Sequence, residues 1–321
     1  MDIDIDAYVQ EIDKRIAELE LEESLDQEND LISRVNVIKE RFEGDIDEIY
    51  EKYMKELNQL IGLDEVKVEI RKLISYLLFV IKVGDRANFG KMNLNMIFRG
   101  NPGTGKTTVA RIVGRILCDL GFLSSNKFIE TTPRDFIAGY IGQTALKAKA
   151  TIEKARGGVI FVDEAYTFAE RSDNSFAPEA ITEIIKEMET GDTVFIFSGY
   201  GKEMDDFVAL NAGIKSRIYR DIYFKDYSRD ELFLMFSNKL KNSGLQLADG
   251  CQDFILSIID EQSKKKNFGN GRMIDNLFGE ILREHAFLNV SNMDRDSLLL
   301  INQESIQNIE FTKNEGGMGF E

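Results

Sequence analysis

The glycine-rich stretch at residues 100–107 constrains the fold of this chain more than any other feature. A short apolar run at residues 92–99 leads into Gly-Asn-Pro-Gly-Thr-Gly-Lys-Thr, which has the spacing G-x-x-x-x-G-K-[ST] of a phosphate-binding loop. Glycines let the backbone turn successive N–H groups toward an anion. Apolar residues follow at helical spacing: Val109, Ile112, Val113, Ile116 and Leu117. The pattern predicts strand, loop and helix, with phosphate at the helix N-terminus.

The side chains of this loop predict a nucleotide with Mg²⁺. Lys106 would neutralise the β- and γ-phosphates, and the Thr107 hydroxyl would complete a Mg²⁺ shell of water and phosphate. The loop does not suit a dinucleotide fold, because a third glycine is missing at Thr108. It is not a protein-kinase loop, because the chain has no His-Arg-Asp triplet. A chance glycine-rich turn is the alternative to the predicted ATP contacts at Asn101, Pro102, Gly103, Thr104, Gly105, Lys106, Thr107 and Thr108.

Composition restricts the class of protein. With 321 residues, 43% of them hydrophobic, the chain can bury a full core and is expected to form two or three domains. No apolar run approaches the ~18 residues that span a bilayer, and the N-terminus is acidic. The 2 cysteines are far apart, so we expect reduced thiols in a cytoplasmic protein. His285 is the single histidine, which makes a histidine triad or zinc site improbable; we expect it on a helix surface.

Charge is unevenly distributed along the chain. The net charge is −16, and residues 1–58 hold 19 Asp and Glu against 7 Lys and Arg. No basic face emerges, which counts against non-specific nucleic-acid binding. Residues 1–58 carry three apolar stripes at helical spacing, which predicts a separable acidic helical segment. These helices either pack on the main body or bind a partner, and the sequence leaves both open.

The rest of the chain alternates between strand and helix patterns. Strands are predicted near residues 92–99, 127–131, 158–163, 193–198 and 222–224, which predicts an α/β domain with a five-stranded, mainly parallel sheet at residues 59–226. Three helices follow at residues 228–242, 250–263 and 271–288, with Ser228 at or near an N-cap. They predict a small all-α lid domain at residues 227–303, and a mobile tail at residues 304–321.

An acidic pair, Asp163 and Glu164, ends the third predicted strand. In phosphate-loop nucleotidases an acidic residue at this place holds Mg²⁺ through water, so Asp163 joins Thr107 as a predicted metal residue. Glu164 is placed to polarise an attacking water. An acidic pair at a strand end also serves as a helix cap, and only its combination with the phosphate loop favours catalysis.

The motifs together resemble an AAA+ ATPase with a phosphate-loop nucleotidase fold. Within that class the chain is similar to the family of stage V sporulation protein K and the red-type Rubisco activases, from about Leu60 to Leu288. The resemblance lies in the phosphate loop and in four further motifs: Tyr-Ile-Gly-Gln-Thr at residues 140–144, Asp-Glu-Ala-Tyr at 163–166, Ser-Gly-Tyr at 198–200 and Asn-Ala-Gly-Ile-Lys-Ser-Arg at 211–217.

The resemblance implies further site residues. Arg217 stands at the position of the arginine finger, which reaches the γ-phosphate of the next subunit. Arg272 matches the second sensor, which touches the nucleotide of its own subunit. Ile61 and Gly62 match the segment that lines the adenine pocket. A surface arginine at 217 and a helix-start arginine without a ligand at 272 are the alternatives.

A substrate-gripping pore loop is also implied, at Tyr140, Ile141 and Gly142. A buried turn tyrosine is the alternative reading of Tyr140. The chain departs from the usual pattern in two places. Ser198-Gly199-Tyr200 stands where most AAA+ proteins have a polar sensor, usually asparagine; this subfamily shares that departure. Ala212 replaces the proline that is common before the glycine of the arginine-finger motif, which is Gly213 here.

We therefore predict an Mg-ATP-hydrolysing AAA+ ATPase that remodels a protein substrate. Each protomer holds only part of its site, so the resemblance implies a cyclic homo-oligomer, a hexamer in this family. Nucleic acid and a membrane span are not expected. The alternative is an ATP-dependent assembly switch or scaffold with little turnover that recruits a partner through its N-terminal helices. A clamp-loader or branch-migration type of nucleic-acid motor is disfavoured by the acidic charge balance.

Overall fold

The computed structural model of the chain describes residues 46–83, 92–140, 142–170, 176–190, 193–265, 268–290, 294, 298–307 and 309. The first two predicted helices of the N-terminal segment, the predicted tail beyond residue 309, and Ile141 lie outside the described residues. The chain divides into two compact units. The sheet unit contains the described residues before Leu60, Asp64–Arg99 and Thr107–Tyr223, and the phosphate-loop unit contains Leu60–Leu63, Gly100–Lys106 and the described residues from Phe224 onward.

A five-stranded sheet in the order β2-β3-β4-β1-β5 forms the centre of the described α/β part of the chain. Its strands are β1 (Asn95–Gly100), β2 (Phe128–Thr131), β3 (Val159–Val162), β4 (Val194–Gly199) and β5 (Ile218–Phe224). The pairs β1–β4, β3–β4 and β2–β3 are parallel. Two helices precede β1, α1 (Ile46–Asn58) and α2 (Asp64–Val83). The helices between the strands are α3 (Lys106–Asp119), α4 (Thr144–Lys154), α5 (Ala177–Thr190), α6 (Glu203–Ala209) and α7 (Ala212–Ser216).

The two central strands are buried along their whole length. Every residue of β3 and of β4 is buried, as expected of parallel strands covered by helices on both faces. The register pairs Val162 with Phe197 and Phe98 with Ser198. Because β1, β3 and β4 are parallel, their carboxyl ends lie at the same edge of the sheet.

Helix α1 packs its apolar side against the sheet unit. Tyr53, Met54 and Leu57 are each less than 10% exposed, and the Tyr53 hydroxyl donates to the Arg115 carbonyl oxygen at 3.2 Å and to the Asp119 carboxylate. Burial, with the hydrogen bond to Asp119, raises the pKa of Tyr53. For α1, the third stripe of the N-terminal segment, the packing alternative is therefore the one observed.

The lid part of the phosphate-loop unit is mainly helical. Its helices are α8 (Arg229–Asn242), α9 (Cys251–Ser263), α10 (Gly271–Leu288) and α11 (Glu304–Gln307). Ser228 caps α8 in a capping box with Glu231. A short parallel pair, β6 (Gln246–Leu247) and β7 (Leu300–Ile301), is added to the predicted helices. Two-residue strands leave no periodicity to detect. The predicted fold, a mainly parallel sheet followed by a helical lid, is confirmed.

The prediction that His285 lies on a helix surface is wrong. His285 is 5% exposed; its Nδ1 lies 2.9 Å from the Ser305 hydroxyl and its Nε2 lies 3.1 Å from the Leu298 carbonyl oxygen. Residues after α10 cover the side chain, and the helical pattern alone could not reveal that cover. Both cysteines are free thiols. Among the helices of the described residues, none combines the length and apolarity needed to cross a membrane.

Candidate functional site

The predicted phosphate loop joins β1 to α3. Two of its residues direct polar groups into the loop itself: Lys106 Nζ donates to the carbonyl oxygens of Gly100 at 2.8 Å and Asn101 at 2.7 Å, and the Thr104 hydroxyl donates to the Asn101 carbonyl oxygen at 2.8 Å. The Lys106 ammonium group therefore lies inside the loop, within hydrogen-bond distance of two of its carbonyl oxygens.

Gly103 has no space for a side chain. Its φ is +71°, and an added Cβ would overlap the Gly269 carbonyl oxygen and lie 2.8 Å from the Arg272 backbone nitrogen. The start of α10 therefore approaches the phosphate loop at backbone distance. This approach explains the glycine here independently of any bound anion.

The predicted adenine-pocket segment belongs to the same unit as the loop. Gly62 and Leu63 both have φ of 59°, so the chain makes a left-handed turn there. A Cβ on Gly62 would overlap the Glu231 carboxylate of α8. Ile61 is half-buried beside it. This segment therefore offers backbone groups and apolar side chains as contacts for a ligand.

The acidic pair follows β3 in the sheet unit. The Asp163 backbone N–H donates to the Thr131 carbonyl oxygen at 2.8 Å, and one Asp163 carboxylate oxygen accepts from the Glu164 N–H at 3.1 Å. Glu164 is exposed and has φ of 51° and ψ of 38°, a left-handed conformation that is uncommon for a residue with a side chain. Backbone strain of this kind concentrates at functional sites. The strand end therefore fixes Asp163 and turns Glu164 outward.

Tyr166 lies close to the acidic pair. Its ring packs on the Tyr200 ring with centroids 5.6 Å apart. Burial, together with the Glu164 carboxylate, raises the pKa of Tyr166 to about 12. The phenol therefore stays protonated at neutral pH and remains a potential hydrogen-bond donor next to Glu164.

Ser198 lies near the carboxyl end of β4. It is fully buried at the end of β4, and its hydroxyl has no hydrogen-bond partner among the described residues. The register that pairs Val162 with Phe197 sets Ser198 beside Asp163, one step further along the strands. Near its carboxyl end, β4 therefore has a buried hydroxyl group, that of Ser198, beside Asp163.

Arg217 follows α7 and is held by its own subunit. Its guanidinium forms an ion pair with Glu189 at the end of α5, and also donates to the Gly213 carbonyl oxygen at 3.0 Å. Its backbone carbonyl accepts from the buried Asn95 side chain at 3.2 Å. Asn95 also accepts from the Phe195 N–H at 2.8 Å. One buried amide therefore ties the Arg217 backbone to β1 and β4.

The two remaining predicted features are exposed. Arg272 is exposed at the second residue of α10. Tyr140 is 74% exposed, which excludes the buried-turn alternative. Gly142 has φ of 78°, with nothing within 4 Å of an added Cβ.

The structure places the predicted residues in two groups. The phosphate-loop unit holds Ile61, Gly62, Asn101, Pro102, Gly103, Thr104, Gly105, Lys106 and Arg272. The sheet unit holds Thr107, Thr108, Tyr140, Gly142, Asp163, Glu164 and Arg217. Sequence reasoning missed Asn95, Glu189, Asp226 and Asn270, which contact these residues. A buried amide carries no periodic signal; the dipeptide Asn270-Gly271, a frequent turn sequence, was the one available hint.

Comparison with known proteins identifies both parts of the chain. A family model described as "ATPase family associated with various cellular activities (AAA)" matches residues 96–226, and one described as "AAA lid domain" matches residues 228–316. The chain is 35% identical over 245 residues to stage V sporulation protein K of Bacillus subtilis, which covers 74% of this chain and 76% of that protein.

Two further comparisons agree. The chain is 38% identical over 224 residues to the chloroplastic ribulose bisphosphate carboxylase/oxygenase activase of Cyanidioschyzon merolae, covering 68% of this chain and 76% of that protein. Among solved structures, the AAA domain of FIGL-1 in complex with ADP is similar with a TM-score of 0.52 at 16% identity, covering 77% of this chain and 80% of that chain. At that identity the likeness shows the fold alone.

Proposed function

We propose that this chain, which belongs to the AAA family of ATPases, couples ATP hydrolysis to the remodelling of a protein substrate in a cyclic homo-oligomer. ATP hydrolysis follows from the family itself. The observation that carries the assignment of the site is the arrangement at one sheet edge: the phosphate loop follows β1, and the acidic pair follows β3, two strands that both border β4. Ligands of open α/β sheets bind outside the carboxyl ends of such strands.

The loop residues would hold the triphosphate. Backbone N–H groups of residues 101–108 would face the phosphates, and Lys106 would exchange its two carbonyl partners for phosphate oxygens, a charge-assisted and therefore stronger contact. Ile61 and Gly62 would line the adenine.

Mg²⁺ fits the oxygen donors at hand. Thr107 and Asp163 supply a hydroxyl and a carboxylate, the ligand types that this hard cation prefers. Mg²⁺ usually takes one or two protein ligands and completes its shell with waters and substrate phosphates. When bound, Mg²⁺ neutralises charge on the phosphates.

Glu164 would orient and deprotonate the attacking water. Its left-handed backbone turns the carboxylate outward from the strand end, and the Glu164 N–H fixes the Asp163 carboxylate beside it. The Ser198 hydroxyl has no hydrogen-bond partner among the described residues, and Ser198 is next in register to Asp163. It would serve as the polar group of β4 in place of an asparagine. Arg272 would contact the nucleotide of its own subunit.

Arg217 would act on the nucleotide of the neighbouring subunit. In a single chain it is paired with Glu189, an acceptor of the same charge sign as a phosphate. A guanidinium binds carboxylate and phosphate in the same bidentate geometry, so assembly can replace one partner by the other. A site completed by a neighbour requires a head-to-tail ring, and we propose a hexamer.

The exposed Tyr140 would contact the protein substrate. An aromatic side chain beside two glycines with open surroundings can grip an extended chain without reading its sequence.

A cytoplasmic location remains a prediction from cysteine usage. The domain limits at residues 58, 226 and 303 remain part of this proposal.

A subunit-mixing experiment tests the proposal. Glu164→Gln and Arg217→Ala should each lower ATP turnover by about 1000-fold or more, because one removes the base and the other the neighbour's charge. In a 1:1 mixture, about a quarter of the interfaces would join an intact Glu164 to an intact Arg217, so activity should return. A mixture as inactive as the single variants would rule out the trans arginine.

The same variants separate a motor from an assembly switch. Glu164→Gln in a motor should bind ATP, stay assembled and retain an extended polypeptide such as casein, and the additional change Tyr140→Ala should abolish that retention. A switch would function unchanged with Glu164→Gln. Turnover is measured as phosphate release, and assembly by light scattering.

A further inference from the structure

Four consecutive residues of the phosphate loop, residues 101–104, are each hydrogen-bonded to one of two short segments. The first is residues 226–227, which follow β5, and the second is residues 270–271, which begin α10. Gly271 N donates to the Gly103 carbonyl oxygen at 3.0 Å, and the Tyr227 hydroxyl donates to the Thr104 carbonyl oxygen at 3.2 Å. All of these residues belong to the phosphate-loop unit.

Asn270 is the residue that bonds to both the loop and the first segment. Its Nδ2 donates to the Pro102 carbonyl oxygen at 3.3 Å and to the Asp226 carboxylate at 2.8 Å, and its Oδ1 accepts from the Tyr227 N–H at 2.9 Å. The residue is fully buried. Both polar atoms of the amide therefore have partners, as burial demands.

Asp226 shares its carboxylate between two amides. Asn101 Nδ2 donates to both carboxylate oxygens at 2.9 Å, while Asn270 donates to one of them. A shift of the loop at Asn101 therefore moves the acceptor that also holds Asn270. We name these three residues, Asn101, Asp226 and Asn270, the amide clasp.

The backbone of Asn270 indicates that its side chain is needed there. Its φ of 47° and ψ of −123° match the first central position of a type II′ turn, which glycine occupies at the lowest cost. A non-glycine residue in such a conformation persists where its surroundings determine it. Arg272 lies two residues further on, in the first turn of α10.

The geometry points to Asn270 as a positioning residue for ATP hydrolysis, acting through the amide clasp to place Arg272 relative to the phosphate loop. The inference rests on the proposed function, since it concerns the same nucleotide site. Asn270 itself need not touch the nucleotide. Its bonds help fix the start of α10 against the loop, so it is one of the contacts through which a loop movement on nucleotide binding or product release would reach the lid.

Replacing Asn270 by glycine removes the amide without backbone strain. Asn270→Gly should lower kcat by about tenfold, while KM for ATP changes by less than about threefold, because misplacement of a catalytic group affects turnover more than binding. Asn242→Gly, the same change at an exposed position of α8, is the control and should leave kcat unchanged. An Asn270→Gly enzyme with wild-type kcat overturns the inference.

A reciprocal exchange tests the clasp itself. Asn270→Asp places two carboxylates face to face, and Asp226→Asn places two amide donors face to face, so each single variant should lose about tenfold in kcat. In the double variant Asn270→Asp/Asp226→Asn, the new amide can donate to the new carboxylate and still accept from Asn101, while the bond to the Pro102 carbonyl oxygen stays lost. Its kcat should therefore recover in part, to about threefold or more above that of Asn270→Asp.

The outcomes separate failure of the inference from failure of the proposed function. A double variant no more active than Asn270→Asp shows that the clasp does not position Arg272. Wild-type protein without ATP turnover, or turnover insensitive to Glu164→Gln, instead refutes the assigned site. Thermal unfolding of every variant is measured in parallel, and recovery of kcat by the exchange excludes simple unfolding of the single variants.

Discussion

The sheet unit and the phosphate-loop unit hold their functional residues by different forces. In the sheet unit, Asp163 follows a strand whose every residue is buried, so apolar packing and the ladder of β2, β3 and β4 set its place. In the phosphate-loop unit, directional bonds from residues 226–227 and 270–271 set the place of the loop. Apolar packing tolerates small shifts, whereas hydrogen bonds fix orientation.

This difference separates stability from catalysis. Burying one aliphatic side chain contributes about 1.5–3 kcal/mol, while a net hydrogen bond contributes about 0.5–1.5 kcal/mol. Changes in the sheet should therefore lower the free energy of unfolding with little effect on turnover per folded molecule. Changes at the loop should do the reverse.

Within the phosphate-loop unit, the largest loss of turnover is expected from Lys106→Ala. Removing a charge aimed at the phosphates should lower turnover by at least about 100-fold, because transition-state charge loses a fixed partner. Thermal unfolding should hardly change. Lys154→Ala, an exposed lysine at the end of α4, is the control for phosphate release. A large fall in unfolding temperature with Lys106→Ala would break the proposed separation.

The largest loss of stability is expected from Ile196→Ala in β4. Ile196 is fully buried, so its truncation should lower the free energy of unfolding by about 2–5 kcal/mol. Turnover per folded molecule at 25 °C should stay within a few-fold of wild type. Urea titration measures the change, and Leu146→Ala, 69% exposed on α4, should cost less than about 0.5 kcal/mol.

A smaller effect, on the protein concentration at which turnover is half-maximal, is expected from Glu189→Gln. The ion pair with Arg217 is partly exposed and contributes at most about 1 kcal/mol, so freeing Arg217 should lower the protein concentration for half-maximal turnover by at most about fivefold. Glu153→Gln, which breaks an exposed pair with Arg156, is the matched control. A rise in that concentration would mean that Glu189 supports the neighbour contact.

A small loss of stability is expected from Tyr227→Phe, which removes the bond to Thr104 and should cost about 0.5–1.5 kcal/mol at neutral pH. Burial, with the Glu231 carboxylate, raises the pKa of Tyr227 from 10.0 to about 12. The unfolded chain therefore loses this proton first, and stability that is present below pH 10 is lost as pH rises toward 12.

The decline of the free energy of unfolding at alkaline pH is the measurement that tests Tyr227→Phe. Chemical unfolding at several pH values should show a shallower decline above pH 10 for Tyr227→Phe than for wild type. Parallel curves above pH 10 would mean that Tyr227 ionises alike in the folded and unfolded states.

Much of the sheet and the lid could be predicted, because apolar periodicity reports burial. The strand at residues 222–224 was predicted too short, since β5 begins at Ile218 and carries charged Arg220 and Asp221 in its middle. Arg99 of β1 pairs with Asp221 and Asp205, and Arg220 pairs with Glu69, so both charges in the middle of β5 have partners. Ion pairs between residues distant in the chain leave no local pattern.

The sequence by itself determined the phosphate loop, the acidic pair after β3, the buried strands and the helical lid, because spacing and hydropathy act over a few residues. Only the tertiary structure decided that His285 is buried, that Glu189 holds Arg217, and that Asn101, Asp226 and Asn270 meet. Those contacts join residues separated by 28 to 125 positions, or depend on segments that fold over a helix. A hydrogen bond of about 3 Å needs coordinates that no periodicity contains.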